Sequence, residues 1–282
     1  MKLKFSKMHG CGNDYIYIDC VNSSEIENPK QVSIALSRPH FGVGADGIVL
    51  ICSSKVADFK MRMFNADGSE GKMCGNAIRC VAKFVCDRGL FNGNSIKIET
   101  LSGIKIVFVE RQNGVVVSAT VDMGPAVLQP SKIPVKGNFN SPLISHEMRI
   151  DARVFKITCV SMGNPHCVVF VKNLNDINLC ELGPKFEKNE LFVNGVNTEF
   201  VEVISSSKIA VKVWERGSGA TLACGTGACA SVVASVLNGF CNLNSNVTVN
   251  LPGGELVVCQ TKEETVLLTG PAVWVFDGVV EL

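Results

Sequence analysis

The sequence predicts an α/β (α+β) protein made of two similar domains that arose by internal duplication. The first observation is an ungapped internal match, in which residues 64–76 lie over residues 214–226 at an offset of 150 residues. Each segment carries a Cys-Gly pair at the same place, Cys74-Gly75 in the first and Cys224-Gly225 in the second. A period of this length is too long for a solenoid repeat and indicates a duplicated domain. Two such domains facing each other would bring the equivalent cysteines to opposite sides of one cleft, where the active site is expected.

The second observation is the density of short β-branched runs bounded by Gly, Asn or Pro, which are typical of strands. The protein is therefore expected to be rich in strands. In the first half the runs predict strands at residues 15–19, 48–51, 96–99, 104–110 and 115–121. In the second half they predict strands at residues 168–171, 200–203, 210–214, 247–250, 255–258 and 273–276.

Helices are predicted directly after the two Cys-Gly pairs. Residues 76–88 and 226–237 are rich in Ala and Val, contain no proline, and end close to Gly89 and Gly239, which favour a helix end. A further helix is predicted at residues 29–36. Three prolines lie among polar residues between positions 128 and 150, so this segment is predicted to connect the two halves, with part of it in strands.

The composition is typical of a well-packed globular protein, since 46% of the 282 residues are hydrophobic and 19% are charged. A net charge of +1, with no Lys/Arg cluster, gives no electrostatic basis for binding nucleic acid or an anionic membrane. The N-terminus lacks the apolar stretch of a signal peptide, and no apolar run approaches the ~20 residues that cross a bilayer. Thirteen cysteines, an odd number, favour a reducing compartment, so a cytoplasmic protein is expected.

Two kinds of cofactor site are excluded. Residues 42–47 spell the dinucleotide pattern G-x-G-x-x-G, which binds pyrophosphate only between a strand and a helix. Here no strand precedes the pattern, and the apolar residues 48–51 that follow it predict a strand, so a turn entering a strand is expected. The cysteines lack C-x-x-C spacing and the four histidines are dispersed, so no metal site is predicted.

The Cys-Gly pairs are the strongest candidates for chemistry. Each lies where a glycine-bearing loop turns into a predicted helix, so the thiol would lie at a helix N-terminus, where thiolate is favoured. The unpaired N–H groups there can hold a carboxylate. One thiolate could then remove a proton from an α-carbon while the opposite thiol donates one, which inverts the centre. The alternative is two cysteines that only pack, but this does not explain why they match between the halves.

Further polar residues accompany the cysteines in the matched segments and at strand ends. A single Asn at such a place is usually a turn residue. Together, however, they resemble fixed donors and acceptors for the charged groups of an amino acid, and an arginine suits a carboxylate. His166 is either a packed core histidine or a site residue. The candidate binding residues are Asn13, Asn65, Asn76, Asn164, Asn197, Glu215 and Arg216.

At this point the sequence resembles the diaminopimelate epimerase family over nearly its whole length. The segments that carry the resemblance are FSKMHGxGND (5–14), FNADGSE (64–70), CGN (74–76), MGNPHC (162–167), WERG (214–217) and ACGTG (223–227). The resemblance implies a cofactor-independent isomerase that interconverts LL- and meso-2,6-diaminopimelate in lysine and peptidoglycan precursor synthesis. It also implies two domains, each a strand-rich barrel-like sheet around a central helix, and a homodimer. The last strand would return to the first domain, giving domains of residues 1–122 plus 271–282 and 123–270.

The resemblance implies a role for each candidate. Cys74 and Cys224 would be the acid/base pair, with His166 and Glu215 tuning their pKa. The N–H groups of Gly75, Asn76, Gly225 and Thr226 would hold the carboxylate at the reacting centre. The remaining residues of the candidate set would bind the rest of the substrate: Asn13, Asn65, Asn164, Asn197, Glu215 and Arg216. Some relatives have Gln at the position of Gly47, which has no side chain to contact a substrate and is therefore not a candidate binding residue. The commoner residue at the position of Thr226 is Ser, whose hydroxyl can be replaced by that of Thr.

Two alternatives stay open from the sequence. Proline and hydroxyproline racemases of the same fold also use two cysteines, but their substrates lack a second amino-acid end for the Asn set and Glu215-Arg216 to bind. A non-enzymatic cysteine-rich protein would instead bind metal or cycle a disulfide. It would exchange no carbon-bound proton.

Overall fold

The computed structural model describes residues 2–22 and 26–281, and this part of the chain forms two compact units. Unit 1 comprises Met1–Asp122 and Thr269–Leu282, and unit 2 comprises Met123–Leu268. The sequence analysis placed the return of the chain to the first domain at residue 271, and in the structure unit 1 resumes at Thr269. The predicted fold class is confirmed: each unit is rich in strands and has one long buried helix.

Unit 1 begins with two strands at the N-terminus and closes with the C-terminal strand β18, which pairs with β1 along its whole length. The Cys74-Gly75 pair starts the helix α2. The elements are β1 (Lys2–Gly10), β2 (Asn13–Cys20), α1 (Pro29–Ser37), β3 (Gly47–Cys52), β4 (Phe59–Asn65), β5 (Glu70–Gly71), α2 (Gly75–Asp87), β6 (Ser95–Thr100), β7 (Gly103–Gln112), β8 (Val115–Pro125) and β18 (Val273–Glu281).

Unit 2 is continuous in sequence, and its Cys224-Gly225 pair starts the helix α4. A one-turn 3-10 helix at Pro130–Lys132 and another at Leu174–Asp176 lie in its connections. The elements are β9 (His146–Ile150), β10 (Arg153–Ser161), β11 (Pro165–Val171), α3 (Leu179–Glu187), β12 (Asn197–Ser205), β13 (Lys208–Glu215), β14 (Gly219–Thr221), α4 (Gly225–Leu237), β15 (Val247–Leu251), β16 (Gly254–Gln260) and β17 (Thr265–Pro271), whose end reaches into unit 1.

The two units repeat one pattern of strand pairing. In unit 1, β1 is antiparallel to β2, β2 is parallel to β3, β3 is antiparallel to β4, and β4 is parallel to β6. In unit 2, β10, β11, β12, β13 and β15 repeat these pairings in the same order and with the same directions. The internal match in the sequence is therefore a duplication of the fold.

The helices α2 and α4 are each 13 residues long and are almost wholly buried against the strands of their own unit. Helix α4 carries no charged residue, as a helix buried on all sides requires. Helix α2 buries two cations, and both have partners. Lys83 Nζ donates to the carbonyl of Val116 and to Asp87, and Arg79 donates to the carbonyls of Gly75 and Pro271. The contact with Pro271 ties α2 to the chain that leads into β18.

All the predicted strands and helices are confirmed. The prediction that residues 128–150 connect the two halves is wrong, because this segment lies inside unit 2 and its Ile133 and Leu143 pack in a hydrophobic core. The three predicted helices are α1, α2 and α4. Residues 42–47 form a turn that leads into β3, so the G-x-G-x-x-G pattern does not lie between a strand and a helix, as a nucleotide site would require. The structure also has elements that the sequence did not predict, among them α3, β1 and β4. None of the helices in residues 2–22 and 26–281 is long and apolar enough to cross a membrane.

Candidate active site

Both cysteines of the Cys-Gly pairs are the N-cap residues of their helices. Cys74 and Cys224 have extended backbone conformations, and each is followed by the first residue of α2 or α4. Each sulfur accepts a hydrogen bond from the backbone N–H three residues on, at 3.5 Å from Ala77 N and 3.4 Å from Gly227 N. A cysteine therefore holds the place that Ser, Thr, Asp or Asn usually takes in a helix cap.

This position has two chemical consequences. The N–H groups of the first turn have no partners within the helix, so they can bind an anion, and the helix dipole favours negative charge at the same place. A thiol at the cap can become a thiolate that these groups stabilise. Each unit therefore places a group able to accept or donate a proton beside a site able to hold a carboxylate.

In unit 1, Asn13 contacts the catalytic candidate directly. Cys74 Sγ donates to Asn13 Oδ1 at 3.3 Å, and Asn13 Nδ2 donates to Asp46 Oδ2 at 2.7 Å. Because a carboxylate only accepts, Asp46 fixes the direction of the Asn13 amide and turns its oxygen towards the thiol. The sequence analysis did not single out Asp46, although it lies in the rejected G-x-G-x-x-G segment.

The other predicted residues of unit 1 have partners of their own. Asn65 Nδ2 donates to Ser69 Oγ at 2.9 Å, within the loop that follows β4. Asn76 is buried, and its Oδ1 accepts from Arg79 Nη1 at 3.1 Å. The side chain of Asn76 therefore points into the core of unit 1, which leaves its backbone N–H at the first turn of α2 as the group that could meet a ligand.

In unit 2, four predicted residues form one chain of hydrogen bonds that ends at Cys224. His166 Nε2 lies 3.0 Å from Asn164 Oδ1, and Asn164 Nδ2 donates to Thr226 Oγ1 at 3.2 Å. Thr226 Oγ1 lies 3.4 Å from Cys224 Sγ. His166 is fully buried, and its other ring nitrogen faces Glu199, a residue that the sequence analysis missed.

Glu215 is the second predicted group near Cys224. Burial raises the pKa of its carboxyl, against the hydrogen bonds that it receives from Thr221 and Cys224. Thr221 Oγ1 donates to Glu215 Oε1 at 2.6 Å, which holds the carboxyl in place. Burial raises the pKa of the Cys224 thiol well above its ordinary value, and the nearby charge of Glu215 acts in the same direction. Burial and this charge favour the thiol of Cys224, whereas the Thr226 hydroxyl and the Gly227 N–H favour its thiolate.

Asn197 and Arg216 form a separate contact in unit 2. Asn197 is buried, its Nδ2 donates to the carbonyl of Pro165, and its Oδ1 accepts from the backbone N–H of Arg216. Both ends of its amide therefore hold the backbone. The guanidinium of Arg216 is exposed and donates to the carbonyl of Asn194 at 3.2 Å. Asn197 thus supports the segment from which Arg216 projects.

Two buried cysteines outside the Cys-Gly pairs, Cys159 in β10 and Cys80 inside α2, do not lie at a helix N-terminus. Burial alone raises the pKa of Cys159 to about 12, and burial raises that of Cys80 to about 11. Buried thiols without a helix N-terminus to stabilise their anion are expected to stay protonated at neutral pH. Within the described residues, no group of three or more His, Cys, Asp or Glu side chains is arranged to hold a metal ion.

The sequence model of the diaminopimelate epimerase family matches residues 5–129 and 158–275 of this chain. The chain belongs to the diaminopimelate epimerase family. A diaminopimelate epimerase from Acetivibrio thermocellus is 52% identical over 282 residues, which cover 99% of each protein. One from Methanococcus maripaludis (strain C5) is 50% identical over 281 residues, which cover 99% of this chain and 100% of the relative.

Solved structures with low sequence identity to this chain share its fold. A phenazine biosynthesis protein of the PhzF family from Bacillus anthracis superposes with a TM-score of 0.73 at 15% identity, covering 100% of both chains. A hydroxyproline epimerase from Agrobacterium vitis superposes with a TM-score of 0.70 at 13% identity, covering 100% of this chain and 93% of the other. At these identities the likeness shows the fold alone.

We expect Gly227→Ala to destabilise unit 2 because there is no room for a side chain at this point of α4. A Cβ atom at Gly227 would lie 2.6 Å from Glu199 Oε1 and 3.2 Å from Cys224 Cβ. Overpacking of a buried site costs about 1–3 kcal/mol of unfolding free energy, measurable in urea. Glu199→Ala removes the closer contact, so Gly227→Ala should cost less in that background. Equal costs in the two backgrounds would contradict this steric account.

Proposed function

We propose that this chain interconverts LL- and meso-2,6-diaminopimelate by moving a proton at one α-carbon, with its own thiols as acid and base and without a cofactor. Membership of the diaminopimelate epimerase family supports this substrate. The observation that carries the mechanism is that two cysteines, equivalent in a duplicated fold, both cap the N-terminus of a buried helix. The proposed pathway context is the synthesis of lysine and peptidoglycan precursors.

The proposed reaction balances without any outside oxidant or reductant. The thiolate of Cys74 or Cys224 takes the α-proton from one face, the C–H bond breaks, and its electron pair stays on the substrate as a carbanion. The other cysteine, as a thiol, gives its proton to the opposite face and becomes the thiolate. The α-carboxylate, which shares the developing charge, is held by the N–H groups of Gly75, Asn76, Gly225 and Thr226.

The remaining polar residues are proposed to bind the substrate or to tune the thiols. His166 and Glu215 tune Cys224, which is supported by the hydrogen-bond chain and by the carboxyl beside the sulfur. Arg216 suits a carboxylate because its guanidinium presents parallel donors. The residues proposed to contact the ends of the substrate are Asn13, Asn65, Asn164, Asn197, Glu215 and Arg216.

Two further properties complete the proposal: a cytoplasmic location, which suits reactive thiols, and a homodimer. The homodimer is supported by an exposed apolar stretch on β18 in unit 1, where Val275, Phe276 and Val279 are 52%, 45% and 60% exposed. We expect sedimentation equilibrium to give twice the chain mass of 30.3 kDa. Val279→Lys should weaken the dimer, and Val56→Lys, at a 65% exposed valine elsewhere in unit 1, should not. A monomer at all concentrations would contradict the proposal.

Deuterium exchange tests the reaction itself. We expect diaminopimelate incubated with the reduced protein in D2O to gain deuterium at an α-carbon, with no pyridoxal phosphate added, because the proton returned comes from a thiol that exchanges with solvent. Mass spectrometry of the recovered substrate measures the label. Proline and hydroxyproline, incubated in parallel, should gain none. A folded, reduced sample that labels no diaminopimelate would refute the proposed function, and one that labels proline instead would favour the racemase alternative.

Substitution of single cysteines tests the two-thiol mechanism. Cys74→Ala and Cys224→Ala should each lower the rate of inversion by at least about 10²-fold, because each variant lacks either the acid or the base. Cys159→Ala is the control, since Cys159 is buried in unit 2 and has a pKa near 12. Its rate should stay within about threefold of the parent. Similar rates in all three variants would mean that the matched cysteines only pack.

A further inference from the structure

Unit 2 buries an acidic side chain at a place where unit 1 has an apolar one. Glu199 on β12 pairs with Val168 on β11, and the equivalent pair in unit 1 is Val49 with Tyr17. Glu199 and Val49 are both 0% exposed. A buried carboxyl is costly unless it is paired, so its presence in one copy of the duplicated fold calls for a reason other than packing.

Among the residues that the structure describes, His166 is the hydrogen-bond partner of Glu199. Its Oε1 lies 2.7 Å from His166 Nδ1, and both side chains are fully buried. Its Oε2 is buried with no hydrogen-bond partner among the described residues. The same carboxyl lies against the first turn of α4, where Gly227 leaves room for it. Glu199 therefore stands at the far end of the chain of hydrogen bonds that reaches Cys224.

The direction of this chain follows from its donors and acceptors. Asn164 Nδ2 donates to Thr226, so Asn164 Oδ1, which has no hydrogen, must accept from His166 Nε2. Nε2 therefore carries a proton. The contact between Nδ1 and Glu199 Oε1 holds a second proton, because two lone pairs do not approach to 2.7 Å. The Glu199–His166 pair thus holds two protons and has no net charge, whichever atom carries the second one.

The last link of the chain is Thr226. Because Thr226 Oγ1 accepts from Asn164, its own hydrogen is free to point at Cys224 Sγ, 3.4 Å away. The N–H of Gly227 points at the same sulfur. Two donors aimed at one sulfur stabilise the thiolate and not the thiol. From this geometry we infer that Glu199 is a positioning residue, which fixes His166 so that Asn164 and Thr226 turn a hydrogen-bond donor towards Cys224.

The titratable groups around Cys224 are Glu215 from β13, Glu199 from β12 and His166 from β11. If Glu199 acted only as a nearby negative charge, it would raise the pKa of Cys224. As part of a neutral pair that directs a donor to the sulfur, it lowers that pKa instead. The two roles predict opposite shifts in the pKa of Cys224 when Glu199 is replaced. This inference deepens the proposed function, but its test needs no substrate.

The test is the rate at which iodoacetamide modifies Cys224 in the substrate-free protein, followed against pH by peptide mass spectrometry, with Cys74 in unit 1 as internal reference. Glu199→Val installs the residue of the equivalent position in unit 1 and leaves Nδ1 of His166 without a partner. We expect its modification of Cys224 at pH 8 to be about tenfold slower, with the midpoint about one pH unit higher. Glu199→Gln can donate an amide N–H to Nδ1 and should stay within about threefold of the parent.

Faster modification of Cys224 in both variants would assign Glu199 the role of a simple charge and overturn the inference. Unchanged modification in Glu199→Val would overturn it as well. Should Glu199→Val fail to fold, Thr226→Val removes only the hydroxyl that faces Cys224. It should raise the pH midpoint of Cys224 modification to the same extent, and Thr226→Ser, which keeps a hydroxyl, should not. A parent protein that epimerises no diaminopimelate would refute the proposed function and leave the thiol result standing, so the two failures are distinguishable.

Discussion

A sulfur atom in place of the usual oxygen at a helix N-cap is the interaction on which the candidate site depends. In both units the cap accepts an N–H from the first turn of a helix that is buried almost completely. The burial keeps the helix end in one place, and the cap geometry gives the sulfur a fixed orientation. A reactive thiol on a surface loop would have neither constraint, so the packing of α2 and α4 is a condition for the proposed chemistry.

The duplication preserves this cap and changes what surrounds it. In unit 1 the thiol donates to an asparagine oxygen, which an exposed aspartate, Asp46, holds in place. In unit 2 the sulfur lies at the end of a buried chain that contains a histidine and a glutamate. In the proposed mechanism one cysteine acts as the base and the other as the acid. Identical surroundings would give the two thiols the same tendency to ionise, whereas the divergent polar neighbours distinguish them.

The sequence predicted the elements with clear local patterns and missed those that depend on tertiary contacts. The helices after the Cys-Gly pairs were found because Ala-rich, proline-free runs ended at glycines. Strands β1 and β4 were missed because neither contains a β-branched residue, although both alternate apolar with polar residues, which is itself a strand pattern. Helix α3 is short and contains Pro184, which argues against a helix in any local analysis. In each case packing within the unit decides the structure.

The same limit applies to the site. The cysteines, Asn164, His166 and Glu215 could be found because they lie in matched or glycine-rich segments. Glu199 could not be found by motif, since its role depends on the parallel pairing of β11 with β12. The available signal was Glu199 directly before the apolar pair Phe200-Val201 in β12, a strand that also contains Glu202. Asp46 was hidden because its segment resembles a nucleotide pattern that the fold does not use.

The pairing of β1 with β18 has a consequence for biosynthesis. Lys2 lies opposite Glu281 in that pair, so a strand that precedes unit 2 in the chain meets a strand that follows it in one sheet. Unit 2 is continuous, so all of its residues are available once residue 268 has left the ribosome, whereas unit 1 also needs β18, which is translated after unit 2. Its first 122 residues stay incomplete for the whole time that unit 2 is made. Loss of β18 would therefore leave β1 with an open sheet edge in unit 1, while every residue of unit 2 would still be present.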